Sequence, residues 1–491
     1  MSSAEVIPFG EWLPDLPAYA NPGALIAKNV IPQITGYRSL NSLSAFSSAL
    51  TSVCLGSFWT TDANNTVVNF AGDATRLYQL QSSSTWTDVS RLSGGAYNAS
   101  EWEFTKFGNR VLAVSIGDAI QKWDLATDTN FSNLAGSPPQ ARRIATVRDF
   151  VMLGDIDGLG PNYIQWSAYN NSELWTPSLS TQADFQELFG RGGKIQRIVP
   201  GEYAQIFMEH SIFRADYDGP PIIFQIDEVE RKRGTPAPYS VVWSGGLTWY
   251  YGWDGFYVFD GQQSRPISAN RVARWFAGNV ASESLKDMRG AVDRRNRMVV
   301  WAFRTSSSLN YNNRLLLYNW AADKWSYAEV DTQILDEYVT TGLDLDSLDT
   351  VLPAGIDTDS IPVDSTEFQG GELSLMAFDS ANKSGTFAGT PLTAVLDTKE
   401  IGGADNSRIY TNSVRPLVEG TSSTSVTMSV GSRERLNDNP VFSPAKAENT
   451  INGEVNVREN SRYQRFRLNI SGGFDHGNGV RVAMRQQAGR R

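Results

Sequence analysis

Two kinds of residue in this 491-residue chain could do chemistry by type and spacing: carboxylates beside turns, and clusters of glycine. Asp62, Asp118, Asp155, Asp254 and Asp260 are the acids to weigh, because two carboxylates flanking a glycosidic bond suffice to hydrolyse it. Most sit next to Gly or Asn, where an ordinary turn accounts for them. The Asp-box sequence Ser-x-Asp-x-Gly-x-Thr-Trp does not occur. Asp155-Ile156-Asp157-Gly158 begins like a calcium loop, but Gly160 and Pro161 follow where oxygen ligands are needed. The acids between Asp344 and Asp364 could gather calcium, although a solvated acidic linker explains them too. GRGGK at 190–194 and SGGFDHGNG at 471–479 lack the Walker spacing and a strand–helix context, so neither reads as a phosphate cradle. No Gly-x-Ser-x-Gly elbow opens a helix, which argues against a serine hydrolase.

With two histidines, His210 at a strand end and His476 in a glycine-rich turn, chemistry built on several imidazoles is excluded by count. A single cysteine, Cys54, forbids an intrachain disulfide and points to synthesis in a reducing cytosol. Forty-three Lys and Arg against 53 Asp and Glu give a net charge of -10, unsuited to a protein that works by neutralising many phosphates. No apolar run is long enough to span a membrane and no export signal opens the chain, so stable membrane insertion is not expected. The residues thus point to no enzyme, no catalytic group, no cofactor and no metal. His210 and most of the turn acids read as structural.

The elements that would position such residues are mainly strands. Short runs of Val, Ile, Tyr, Phe and Trp alternate with turn dipeptides, and helical periodicity is confined to residues 268–288, interrupted by Gly278. A strand pattern with an aromatic anchor recurs at Tyr78, Trp123, Trp166, Phe213, Phe259 and Tyr318, often with a second Trp following, as Trp86, Trp175 and Trp325 do. The gaps are 45, 43, 47, 46 and 59 residues, the last lengthened by an insertion at 306–313. A period of about 40 to 50 residues carrying four short strands describes a propeller blade. In GLTWYYGWDGFYVFDG, Trp249, Tyr251 and Trp253 should share a packed face, with Asp254-Gly255 as the hairpin turn.

The chain therefore reads as mainly β: a β-propeller of six to seven blades at 51–330, an extended N-terminal arm at 1–50, an acidic loop or linker at 331–369, a possible closing blade at 370–400, and a separate antiparallel sandwich-like C-terminal domain at 401–491. The arm could supply one strand that closes the ring. The C-terminal stretch holds Arg458, Arg462, Arg465, Arg467, Arg481, Arg485, Arg490 and Arg491, and in its strand Arg462, Arg465 and Arg467 form an arginine face suited to an acidic partner or a neighbouring subunit. A solvated strand face explains the same pattern.

Three stretches resemble the tail nozzle proteins of podoviruses, also described as packaged-DNA stabilisation or head-completion proteins. They are WLPDLPAYANPGALIAKNVIPQITGYRSL, with Pro22-Gly23, Asn29-Val30-Ile31-Pro32 and Gly36-Tyr37-Arg38 in the family's order; AVDRRNRMVVWAF with NRLLLYNWAADKWS; and RYQRFRLNISGGFDHGNGVRVAM. The resemblance implies a structural virion protein of the phage tail, synthesised in the host bacterial cytoplasm. Six copies would form a tube beneath the portal–adaptor ring, hold and conduct double-stranded DNA without sequence specificity, and carry distal needle, tip or fibre proteins. Pro22, Gly23, Asn29, Pro32, Tyr37, Arg38, Arg462, Arg465 and Arg467 are then the candidate assembly contacts, and deletion of residues 2–35 should leave a folded monomer unable to form rings. The alternatives are a glycan-degrading propeller and a glycan-binding, receptor-recognising tail protein presenting Trp249 and Trp253.

Overall fold

The computed structural model describes residues 3–339, 373–402 and 407–487. Its short apolar runs fold as antiparallel strands because each sheet has neighbours on both faces, which rewards aromatic and β-branched residues on either side. Six separate four-stranded sheets, and a seventh made by the first four strands of an eleven-stranded sheet, together include every aromatic anchor. Their first strands are Gly56–Thr61, Glu103–Phe107, Ala141–Val147, Ile195–Val199, Val242–Ser244, Arg289–Asp293 and Leu335–Val339. These neighbour one another around a closed ring, with the turn Pro238–Ser240 bridging the fourth and fifth. The chain is a β-propeller, and the sheets are blades 1 to 7 in that order.

The six aromatic anchors all fall on or at the end of third strands: Leu77–Leu80, Gln121–Asp124, Gly160–Trp166, Ser211–Gly219, Gly255–Phe259 and Arg314–Asn319. The insertion at 306–313 lies between the second and third strands of blade 6. Local expectations differ in three places. Trp175 lies in a loop before the fourth strand of blade 3, Asp184–Glu187, and is held by a bond from its Nε1 to Ser172 O at 2.8 Å. The hairpin loop of blade 5 is Trp253-Asp254, because Gly252 pairs with Gly255; Trp253 leaves the strand face and is 57% exposed. The helical stretch is an α-helix only over Ala273–Asn279, which contains Gly278, and continues as a 3-10 turn over Ser282–Asp287.

Blade 7 consists of Leu335–Val339, Leu373–Phe378, Lys383–Thr386 and, from the opposite end of the sequence, Ser44–Ala49. The loop expected at 331–369 is thus corrected at its start, where 335–339 is an inner strand; residues 340–369, with Asp344 to Asp364, lie outside the described residues. The arm is not free. Ser3–Pro8 pairs with Phe474–Gln487, and Ile26–Lys28 is inserted between Lys324–Ala328 of blade 6 and Ala394–Asp397. Tyr37 of the hairpin formed by Val30–Pro32 and Tyr37–Ser39 registers against Gly477.

Nor is the C-terminal unit separate. Ala394–Asp397 pairs with Tyr463–Ser471, which pairs with Ser425–Arg433, so the sheet of blade 6 runs without a break into the C-terminal strands. One buried cluster joins Ile7, Phe9 and Trp12 of the arm to Phe256, Trp301 and Trp325 of blades 5 and 6 and to Phe466, Leu468 and Val480. These strand pairings and a common core make the arm, blade 6 and the C-terminal strands one unit, called the stalk below. Among the described residues no helix is long and apolar enough to cross a membrane.

Candidate functional site in the propeller hub

One set of charged residues lies on or just before the first, inner strands of the blades. Glu101 and Glu103 come from blade 2, Arg142 and Arg143 from blade 3, Arg197 from blade 4, Arg289 from blade 6 and Asp336 from blade 7. Tyr239, in the 3-10 turn before blade 5, reaches across the axis. Its hydroxyl donates to Glu101 Oε2 at 2.6 Å and accepts from Arg143 Nη1 at 3.1 Å. Three guanidiniums surround its ring, with Cζ at 5.2 Å for Arg143, 5.2 Å for Arg197 and 3.8 Å for Arg289 from the centroid, a cation–π arrangement in a largely buried site. An aromatic ring held in ionic contacts thus stands between the inner strands of blades 2, 3, 4 and 6.

The ion pairs are deeply placed. Arg143 Nη1 lies 3.0 Å from Glu101 and 3.3 Å from Glu103, both Arg143 and Glu103 being 3% exposed, and Arg197 lies 3.1 Å from Glu103. Arg142 also pairs with Glu101 and, at 3.0 Å, with Asp155. Burial works against the charge of Glu101, but Arg143, the Tyr239 hydroxyl and Arg142 outweigh it and hold the carboxyl down at about 2. Across the hub the balance is reversed. Burial pushes Asp336 up to about 6, although Ser57 donates to it at 2.6 Å, and pushes Glu337 up to about 7 against the pull of Arg294.

A cavity of ≈ 430 Å³ lies against this cluster, walled by the inner strands and by Phe58, Phe104 and Trp243. Phe58 and Phe104 stack with centroids 5.9 Å apart. Exposure increases toward the exit ends of the inner strands: Arg294, paired with Glu337 at 3.3 Å, is 55% exposed. The chemistry available is recognition by charge and aromatic surface. The site could hold a small ligand by its oxyanion and its apolar body.

The residues singled out in the sequence are placed elsewhere. Gly23 is required by close approach, since a Cβ there would stand 1.9 Å from Glu11 O. Asn29, with φ 58°, donates to Thr393 O at 2.9 Å and accepts from Glu329 N at 3.0 Å; Pro32 O accepts from Asn319 at 2.9 Å. Tyr37 is fully buried and donates to Gly10 O at 2.8 Å, and Arg38 bonds Asn296. Pro22 is exposed. Arg467 clasps the buried Asp397 through two bonds of 2.7 and 2.8 Å, with Arg465 at 3.8 Å from the same carboxylate and Arg462 at 3.8 Å from Glu434. Most of the residues expected to contact other subunits are therefore engaged within the chain, although the Arg462 side chain stays 42% exposed. Arg485, Arg490 and Arg491 fall outside the side chains described.

The turn acids act as turns require. Asp62 accepts from the N–H groups of Asn64 and Thr66, Asp260 from those of Gln262 and Gln263, and Asp254 from the Tyr257 hydroxyl, while Asp118 pairs with Arg91 at 2.9 Å. His476 lies within a strand rather than a turn, 3.2 Å from Gln33. His210 lies in the turn after Ala204–Met208 and stacks with Trp253 at 5.4 Å; Trp249 is buried as packing requires, but Trp253 is not. Among the described residues no group of three His, Cys, Asp or Glu is arranged to hold a metal. The hub cluster itself escaped sequence reasoning, because its members are scattered from 101 to 336 with no motif spacing.

No family model and no curated protein matches the chain. Solved structures similar to it include Myceliophteria thermophila Cps50 (Swd1), a β-propeller domain, at 7% identity, TM-score 0.41, covering 70% of this chain and 98% of that one. Virginiamycin B lyase from Staphylococcus aureus is similar at 10% identity and TM-score 0.42, with coverage of 70% and 98%. An extracellular domain assigned to a one-component system of B. thetaiotaomicron matches at 8% identity and TM-score 0.40; 84% of this chain is covered, but it spans only 48% of that domain.

Proposed function

We propose that the protein is a structural subunit of a bacteriophage tail nozzle, assembling as a ring, of six copies as the resemblance implies, on a portal–adaptor complex. The reading is supported by one observation above others: the three separate stretches that resemble that family are the ones that interlock. Ser326 Oγ donates to Val30 O at 2.6 Å, Asn319 reaches Pro32, and the hairpin after Pro32 joins the strand at 474–487. A resemblance scattered over nearly the whole length thus converges on one stalk of arm, blade 6 and C-terminal strands. Because Tyr239 and its ion pairs cross the propeller hub, duplex DNA would run through a lumen shared between subunits, not through the blades. Subunit contacts would come from the outer surface of the rigid stalk instead of a loose arm.

Negative-stain microscopy with mass photometry, with and without a portal–adaptor complex, tests this. Rings or adaptor-capped tubes are expected; a chain that stays monomeric and ignores the adaptor refutes it. A second reading, glycan binding, has its own observation in the exposed Trp253 stacked beside His210. Saturable binding to host-surface glycans that is lost in Trp253→Ala would favour it.

A further inference from the structure

Arg289 is the unmatched charge of the hub. It makes no hydrogen bond or ion pair with any described residue, its Nη1 is buried without a partner, and its guanidinium rests 3.8 Å from the centre of the Tyr239 ring. Beside it, Arg197 has Nε and Nη1 outside any hydrogen bond, although Nη1 approaches Glu103. Both arginines are only partly buried, but the N–H groups named are buried, and a buried N–H without an acceptor is costly unless an ion, ligand or water completes it. Asp336, which lines the same cavity, is already committed: Oδ2 accepts from Ser57 at 2.6 Å and Oδ1 from the Glu337 N–H at 2.8 Å.

Both arginines line the ≈ 430 Å³ cavity, a volume in the range of small-molecule sites. The cavity wall carries four cationic side chains against three acidic ones, a local positive excess in a chain whose net charge is -10. Tyr239 lies against both guanidiniums, which lowers the ordering cost of binding and presents their donor edges as a fixed pair. The rest of the wall includes the stacked Phe58 and Phe104 and the indole of Trp243. We propose that the hub cavity binds a small organic anion, its carboxylate or phosphate held by Arg289 and Arg197 and its apolar body packed against Phe58, Phe104 and Trp243. Only the oxyanion chemistry is common to the two sources, so the probes must separate them.

Calorimetric titration of the full chain with benzoate, phenyl phosphate, inorganic phosphate and the neutral benzamide reads the site directly. One equivalent of benzoate or of phenyl phosphate is expected to bind, the stronger of the two identifying the oxyanion, while benzamide does not. Arg289→Met should weaken that binding at least tenfold while changing the melting temperature little, since the charge it removes has no hydrogen-bond or ion-pair partner and only a cation–π contact with Tyr239. Arg197→Gln provides a second variant should the first fail to fold. Equal affinity for phosphate and phenyl phosphate would overturn the organic body of the ligand; no anion bound at millimolar concentration, or binding indifferent to both substitutions, would overturn the site.

Discussion

Replacing Arg143 by methionine isolates the charge that ties Tyr239 to the two glutamates of blade 2. Arg143 is 3% exposed, and one nitrogen, Nη1, serves Glu101 at 3.0 Å, Glu103 at 3.3 Å and the Tyr239 hydroxyl at 3.1 Å. Methionine refills much of the volume, so the loss is mainly electrostatic, and removing one partner of a buried ion pair costs roughly 3–5 kcal/mol. Glu101 keeps Arg142 and Glu103 keeps Arg197 at 3.1 Å, which places the expected loss at the low end, about 3 kcal/mol at pH 7. Arg143 is also the leading attraction that offsets burial at Glu101. Without it burial is opposed only by Tyr239 and Arg142, so the Glu101 carboxyl climbs, and lowering the pH to about 5 should return part of the loss through proton uptake. Urea unfolding followed by tryptophan fluorescence at both pH values measures this. A loss under about 1 kcal/mol at pH 7, or an equal loss at both, refutes the reasoning, as does strict additivity of Arg143→Met with Glu101→Gln.

Asp336 at about 6 and Glu337 at about 7 both lie above their unfolded values, so the native chain retains protons that the unfolded chain has released. Stability should therefore fall as pH rises from about 4 to 7, by about 2 to 3 kcal/mol for Asp336, and Asp336→Asn should flatten the slope of urea midpoints measured across that window. Asp397→Asn leaves Arg467 and Arg465 with half a partner in the stalk; about 3 kcal/mol is expected, read as faster hydrogen exchange in 394–397 and 463–471. Deletion of residues 2–35 removes Ile7, Phe9 and Trp12 from the shared core and the strand between blade 6 and Ala394–Asp397, so circular dichroism should show a failed or molten fold and not the competent monomer that an independent arm predicts.

The blades were legible because the third strands of blades 1 to 6 each bury an aromatic anchor, and from Tyr78 through Trp123, Trp166 and Phe213 to Phe259 the anchors recur every 43 to 47 residues. Blade 7, expected as a possible closing blade at 370–400 with a strand from the arm, gave a weaker signal for the same reason: its third strand, Lys383–Thr386, carries no aromatic residue, and its outer strand, Ser44–Ala49, comes from the far end of the chain. The stalk was misjudged because strand pairing between residues hundreds of positions apart leaves no local trace; Asn29 and Tyr37 look equally suited to a partner and to the chain's own backbone. Hub residues had one faint signature, charges set within apolar strand-length runs, as in ARRIATV and LDEYV, where a solvated loop would not put them.

The outer strand of blade 7 also sets an order of events during synthesis. Ser44–Ala49 leaves the ribosome early, yet its partner Lys383–Thr386 follows about 330 residues later, which at the usual pace of translation means a wait of roughly 17 to 70 seconds. Through that interval the segment is an unpaired strand edge, the kind that templates aggregation. Its sequence, SAFSSA, suits the wait: three serines and a single large apolar residue make a poor seed for cross-β stacking, while the pairing it finally makes depends on the register offered by the finished ring.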